Sequence, residues 1–398
     1  MDFMDGLNVS LSKSVRGLIP ELVALRRRLH QYPEIGFREH RTQSLVRSEL
    51  ESYGIESRPV GETGVVAEIE GETPGKVLLL RADMDALPIA EQGELPFKSA
   101  NPGVMHACGH DAHTAMLLAA ARLIRERGLE KGTVKLMFQP AEEGLGGALR
   151  MIREGVLENP KVDGALGFHV WSGFDVGKIA TVDGAVAASV DGFRIVIEGV
   201  GTHAATPEDG VDPVIVAAQL VTAAQALLTR RISARQPVVL SFTAIRAGNV
   251  FNIVPESAEI LGTFRTLDAA VRSRLRSDLE GLARRLAETF GASASYETIC
   301  DHKPTVNDRS MTELAGTVAK DMVGAEGIHP FVPPLVGEDF SEVLDRVPGV
   351  FVILGCRSDV SKAVYPHHHP RFTIDERVLP IGVECAVRFV ERFLSDPR

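Results

Sequence analysis

The sequence predicts an α/β protein: a large domain with a mixed, largely parallel sheet, interrupted by a smaller α+β domain of one sheet and two helices. Three observations predict it. Apolar runs at 76–82, 133–138 and 164–170 alternate with stretches of helical periodicity, the pattern of strands covered by helices. Over 190–299 the order becomes strand, helix, strand, strand, helix, strand, a split βαβ arrangement. Mixed α/β character then returns after 300. The expected division is therefore 1–183 with 301–398 as one domain and 184–300 as an insertion, which is tolerated where chain ends meet at the surface.

Each element has its own signal. Leu18, Leu22, Leu25 and Leu29 recur at helical spacing in 14–30. A second helix is expected over 39–53, stopped by Gly54, and a strand over 64–70. Residues 113–127 are rich in alanine and leucine and end at Gly128, the composition of a strong helix. A short helix is expected at 146–153. In the insertion, strands are expected at 190–198, 238–246, 257–265 and 293–299, with helices at 212–229 and 269–289. Beyond it come a helix at 309–323, a strand at 350–355 and a helix at 376–394.

Composition narrows the function classes. The 398 residues carry 43 Lys and Arg against 53 Asp and Glu, a net charge of −10. With no basic patch, nucleic acid and anionic membranes are poor partners. Cys108, Cys300, Cys356 and Cys385 have no disulfide or CxxC spacing, which suits a reducing compartment. The N-terminus has early acids and no long apolar core, and no run of about 18 uncharged apolar residues occurs. A cytoplasmic protein without a membrane span is expected.

Polar clusters mark where the chemistry lies. The run at 76–82 ends in Asp83, Met84 and Asp85, that at 133–138 leads into Glu142 and Glu143, and that at 164–168 ends at His169. In open α/β sheets ligands bind beyond the carboxyl ends of the strands. HACGHDAH at 106–113 adds His106, Cys108, His110, Asp111 and His113, donors that suit zinc, manganese, cobalt or nickel. On a short extended segment Cys108 and His110, two apart, would point the same way. Adjacent acids such as Glu142 and Glu143 are usually surface charge, but a cation resolves their repulsion: one ligates while the other moves a proton. The loop 365–372 adds His367, His368 and His369; spacing does not choose among them.

These residues resemble the M20 metallopeptidase and amidohydrolase family, in the branch of hippurate hydrolases, N-acyl-amino-acid amidohydrolases and plant auxin-conjugate hydrolases. The matching stretches run in order through nearly the whole chain: RRRLHQYPEIGFRE at 26–39, RADMDALPI at 81–89, HACGHDAHTAMLLAAA at 106–121, FQPAEEGLGGA at 138–148, GFHVW at 167–171, GTHAATP at 201–207, NIVP at 252–255, GTFR at 262–265, GEDF at 337–340 and HHHPRF at 367–372. The resemblance implies a zinc-peptidase-like catalytic domain and an inserted ferredoxin-like lid or dimerisation domain. It implies two divalent metal ions held by Cys108, His110, Glu143, His169 and His368. His368 is chosen because the family's last ligand is followed by one residue, then Pro, any residue and Phe. It implies Glu142 as general base and acid, Asp85 as the buttressing acid, His203 as oxyanion stabiliser, and Asn252 and Arg265 as holders of the substrate carboxylate. Asp83 stands near where related branches place a histidine ligand, and is left out of the metal set.

The function this implies is metal-dependent hydrolysis of N-acyl amino acids by a homodimer or homotetramer. The competing readings are a dipeptidase, an N-acetyl-diaminopimelate deacetylase, or a non-catalytic binding protein on the same scaffold.

Overall fold

The computed structural model describes residues 3–396 except Leu145. The chain forms two compact units. The first is Met1–Gly184 with Val306–Val332 and Glu342–Arg398; the second is Ala185–Thr305 with Pro333–Ser341.

The first unit is built on a seven-stranded sheet in the order Ser57–Val60, Gly64–Glu70, Lys131–Gln139, Thr73–Asp83, Gly164–Asp175, Gly349–Arg357, Ile179–Ala180. The four central strands after Gly64–Glu70 are mutually parallel, and the margins are antiparallel. The parallel centre coincides with the apolar runs: Leu78, Leu79 and Leu80 are fully buried on both faces, as a covered central strand requires. The helices Lys13–Gln31, His110–Arg127 and Val378–Ser395 pack on one another, and the latter two also on Thr73–Asp83. Their shared core includes Leu22, Leu29, Met116, Leu117, Val383 and Val387.

Two local differences from the sequence reading bear on the site. The helix expected from 113 begins at His110, because Gly109 adopts φ 91° and turns the chain into it. A Cβ at Gly109 would lie 2.4 Å from Val170 Cγ2, so the close approach also requires glycine. Cys108 and His110 thus converge through a left-handed turn, not through an extended segment. The strand expected to end near His169 continues to Asp175, since Gly349–Arg357 pairs along it as far as Arg357 with Asp175. His169 still stands level with Asp83, two residues past the pairing of Arg81 with Gly167.

The second unit is a four-stranded antiparallel sheet, Val238–Ala247, Ser257–Thr266, Val190–Glu198, Ser293–His302 in spatial order. The helices Pro213–Arg231 and Ala269–Thr289 pack on it around Phe193, Ile195, Leu220, Phe264 and Leu279. By length and composition Pro213–Arg231 is apolar enough to cross a membrane. Here it buries Val216, Ala217, Leu220 and Ala224 against the sheet, as an amphipathic helix does. The bounds differ from the expected 184–300. Residues up to Thr305 stay with this unit, and Pro333–Ser341 returns to it through Ala188 N–H to Val336 O and Thr305 Oγ1 to Glu338 O.

Candidate metal centre

Three parallel strands of the first unit deliver Asp83, the Gln139–Glu143 segment and His169 to one place, and the helix start at His110 closes it. Cys108 is central. With His110 and His169 it forms one set of donor atoms lying within 4.8 Å of one another; with Glu143 and His368 it forms a second. His110, Glu142 and Glu143 form a third such set, so the groups overlap into one cluster.

Obligate donors and acceptors on the backbone fix the imidazoles. His169 Nδ1 faces the carbonyl of Val170 at 2.6 Å, so it carries the proton, and Nε2 presents a lone pair 3.5 Å from Cys108 Sγ. His113 Nε2 accepts the Val170 N–H at 2.9 Å, so Nδ1 bears the proton and donates to Asp83 Oδ1 at 2.6 Å. Both nitrogens of His113 are thereby used within the fold. Asp83 is also held by Arg81 Nη1 at 2.7 Å, leaving it no oxygen without a partner. Asp85 is different: Oδ1 lies 3.2 Å from His110 Nδ1, and Oδ2 accepts the Glu143 N–H at 3.0 Å. A carboxylate behind a histidine orients its other nitrogen, the usual support of a metal-ligating ring.

Of the three histidines in the late loop, His368 reaches the cluster, with Nε2 3.2 Å from Glu143 Oε1. It does so with φ 63°, held by its N–H on Ala107 O at 2.8 Å. His367 Nε2 instead accepts the Ser172 N–H at 3.2 Å, and His369 Nδ1 accepts the Arg371 N–H at 3.0 Å.

The donor set fits a cation. His110 Nε2 is buried with no hydrogen-bond partner among the described residues, and Asp83 Oδ2 stands 3.8 Å away, beyond hydrogen-bond reach. Buried polar atoms are rarely left unpartnered. Burial pushes the Cys108 thiol well up, with Glu143 adding to the effect, and it holds the His169 imidazole well below its usual range. A divalent cation would reverse the first effect, stabilising the thiolate, and would use the second, since it binds the neutral imidazole.

The remaining candidates lie on the second unit. His203 is exposed on the short strand Thr202–His203, paired to Ile253–Val254, and Ala204 N–H bonds Asn252 O at 3.1 Å. This ribbon keeps His203 and Asn252 together. Arg265 is half-buried on Ser257–Thr266 and donates to Leu335 O at 3.4 Å.

Two supports lie outside the residues singled out from the sequence. Arg81, hidden inside an apolar run, is fully buried and bonds Gln139 Oε1 as well as Asp83. Glu39 is fully buried and accepts from Ala141 N–H at 2.9 Å. Burial pushes its carboxyl up to about 7 against the opposing Thr63 hydrogen bond. A charged residue interrupting an apolar strand was the available signal for Arg81; Glu39 closes the matching stretch 26–39, where nothing local points to its partner Ala141.

The model of Peptidase family M20/M25/M40 matches residues 79–392. Thermostable carboxypeptidase 1 of Saccharolobus solfataricus is 39% identical over 378 residues, covering 94% of this chain and 95% of that protein. An N-acetylcysteine deacetylase of Bacillus subtilis is 39% identical, covering 91% and 93%. A crystal structure from Bacillus subtilis, described as a dinuclear metal-binding peptidase of the M20 family, superposes with a TM-score of 0.83 at 34% identity, covering 95% of this chain and 99% of that one.

Proposed function

Because the chain belongs to peptidase family M20/M25/M40, we propose that it hydrolyses the amide bond of N-acyl amino acids, releasing a carboxylate and a free amino acid. The observation that carries this reading is the overlap of two donor sets on Cys108 with a second carboxylate, Glu142, beside them. Cys108, His110, Glu143, His169 and His368 would hold two divalent ions, drawn from manganese, zinc, cobalt and nickel. Bound there, such ions make a water acidic near neutral pH and polarise an amide carbonyl.

The chain's own residues divide the remaining work. Glu142 takes the proton from the attacking water and returns it to the leaving nitrogen. Asp85 holds His110 by its ring nitrogen and Glu143 by its backbone, so ligand and neighbouring base keep fixed positions. His203 Nδ1 accepts the Ala205 N–H at 3.0 Å, which leaves Nε2–H as the donor suited to an oxyanion. Asn252 and Arg265 would hold the substrate carboxylate. The inserted unit would pair two copies into a homodimer; Val239 and Ile245 on its edge strand, and Val214 and Ile215 on its helix, are exposed.

The test is a substrate panel. Protein stripped of metal and reloaded with each ion is offered N-acyl amino acids varying separately in acyl length and in leaving amino acid, with dipeptides and acetyl-diaminopimelate alongside. Turnover confined to the N-acyl amino acids supports the reading. Faster release from dipeptides would move the assignment to a dipeptidase, which the carboxypeptidase relative makes the second reading.

A further inference from the structure

We propose that Glu39, remote in sequence from every cluster that carries chemistry, is a positioning residue for Glu142. This role rests on Glu142 being the proton carrier and lies in how the backbone of Glu142 is held.

Glu39 sits at the start of the helix His40–Ser52 and is fully buried. One carboxylate oxygen accepts the Ala141 N–H at 2.9 Å, and the other accepts the Thr63 hydroxyl at 2.5 Å. Ala141 has φ 55°, a left-handed conformation that a residue with a side chain rarely adopts unless its surroundings impose it. That turn carries the chain from the end of strand Lys131–Gln139 into Glu142. Its carbonyl is tied as well, accepting the Gly147 N–H at 3.1 Å. The approach is so close that a Cβ at Gly147 would fall 1.7 Å from Pro140 O.

On the other side of Glu142, the Glu143 N–H is held by Asp85 at 3.0 Å. Glu142 therefore lies between two peptide N–H groups, each gripped by a buried carboxylate from another part of the chain. Asp85 serves the metal-ligand side. Glu39 serves the other, referring the turn to the helix His40–Ser52 and, through Thr63, to the strand that begins at Gly64. A group that must meet a water and then a leaving nitrogen tolerates little displacement, and about 1 Å of misplacement costs on the order of 100-fold in rate.

The experiment compares Glu39→Gln with Glu39→Asp in the metal-loaded protein. Gln keeps the length and the oxygen that accepts from Ala141; Asp keeps the charge but withdraws it by one methylene. The positioning role predicts that E39Q retains kcat within about tenfold, while E39D loses about 100-fold at unchanged KM and unchanged metal content. It also predicts that adding E39D to E142Q costs nothing further, because Glu39 acts through Glu142. E39D outperforming E39Q would show that charge matters and not reach. A further loss on the E142Q background would show a general structural effect. Either overturns the proposal. Full activity in E142Q alone would instead remove the reading of Glu142 itself. Should E39D fail to fold, Thr63→Val, which frees one side of the carboxylate, is expected to lower kcat with metal content intact; wild-type kcat there would contradict the proposal.

Discussion

Asp85 holds His110 by one oxygen, Oδ1 lying 3.2 Å from Nδ1, and the Glu143 N–H by the other at 3.0 Å. One carboxylate thus spaces two of the candidate ligands and, through the peptide that joins Glu142 to Glu143, Glu142 as well. Supports of this kind typically contribute 10–100-fold in metal affinity or activity, roughly. Asp85→Ala is therefore expected to weaken metal binding by about that factor. Competition with a chelator measures it. Unaltered affinity would mean that His110 needs no support from Asp85.

Cys108 is the oxidisable member of the donor set. Peroxide is expected to release metal and abolish activity together, as the thiolate passes to sulfenic and higher acids. Cys356 and Cys385 are buried, and Cys300, partly exposed like Cys108, belongs to none of the donor sets; a thiolate held by metal is the more oxidisable, so mass spectrometry should find the first oxygen on Cys108 and not on Cys300. A Cys108→Ser protein with full metal occupancy and retained activity would count against its place among the ligands.

The raised carboxyl of Glu39 makes stability depend on pH. Its value is about 7 in the folded chain, against an ordinary 4.5. The folded state therefore binds the proton more tightly between those values. The stabilisation is complete below the lower one and is lost as pH rises through the upper. Relative to E39Q, the wild type should lose stability from about pH 4.5 to about pH 7, by at most about 3–4 kcal/mol. Urea unfolding at a series of pH values gives the difference, and parallel curves for the two proteins would contradict it.

The exposed apolar residues of the inserted unit bear on assembly. A homodimer has a mass near twice the chain's 43.0 kDa. Charge placed on the edge strand, as in Ile245→Asp, is expected to shift it to monomer. Sedimentation equilibrium decides between the two, and a wild-type monomer at working concentration would remove the dimer.

Much of this architecture was legible because buried parallel strands and amphipathic helices write their periods into the sequence. Residues 190–198 and 269–289 match the strand Val190–Glu198 and the helix Ala269–Thr289 residue for residue. What escaped is what periodicity does not encode. The left-handed turn at Gly109, the two-residue strands Thr202–His203 and Ile253–Val254, and the return of Pro333–Ser341 to the inserted unit depend on long-range pairing. The candidate ligands stood out as unusual residue types in short clusters. Two of their supports did not: Glu39 and Arg81 act through hydrogen bonds to groups 102 and 58 residues away. His113 stood out as a donor, but its use within the fold, through the Val170 N–H 57 residues away, did not. Only the folded chain brings those partners together.

The most direct measurement counts amino groups released from an N-acyl amino acid by stripped protein, by reloaded protein, and by reloaded Glu142→Gln, with metal content determined for each. The account predicts turnover that returns with metal in the wild type and collapses in E142Q while the metal stays bound. Undiminished turnover in E142Q, or in protein shown to hold no metal, would contradict it.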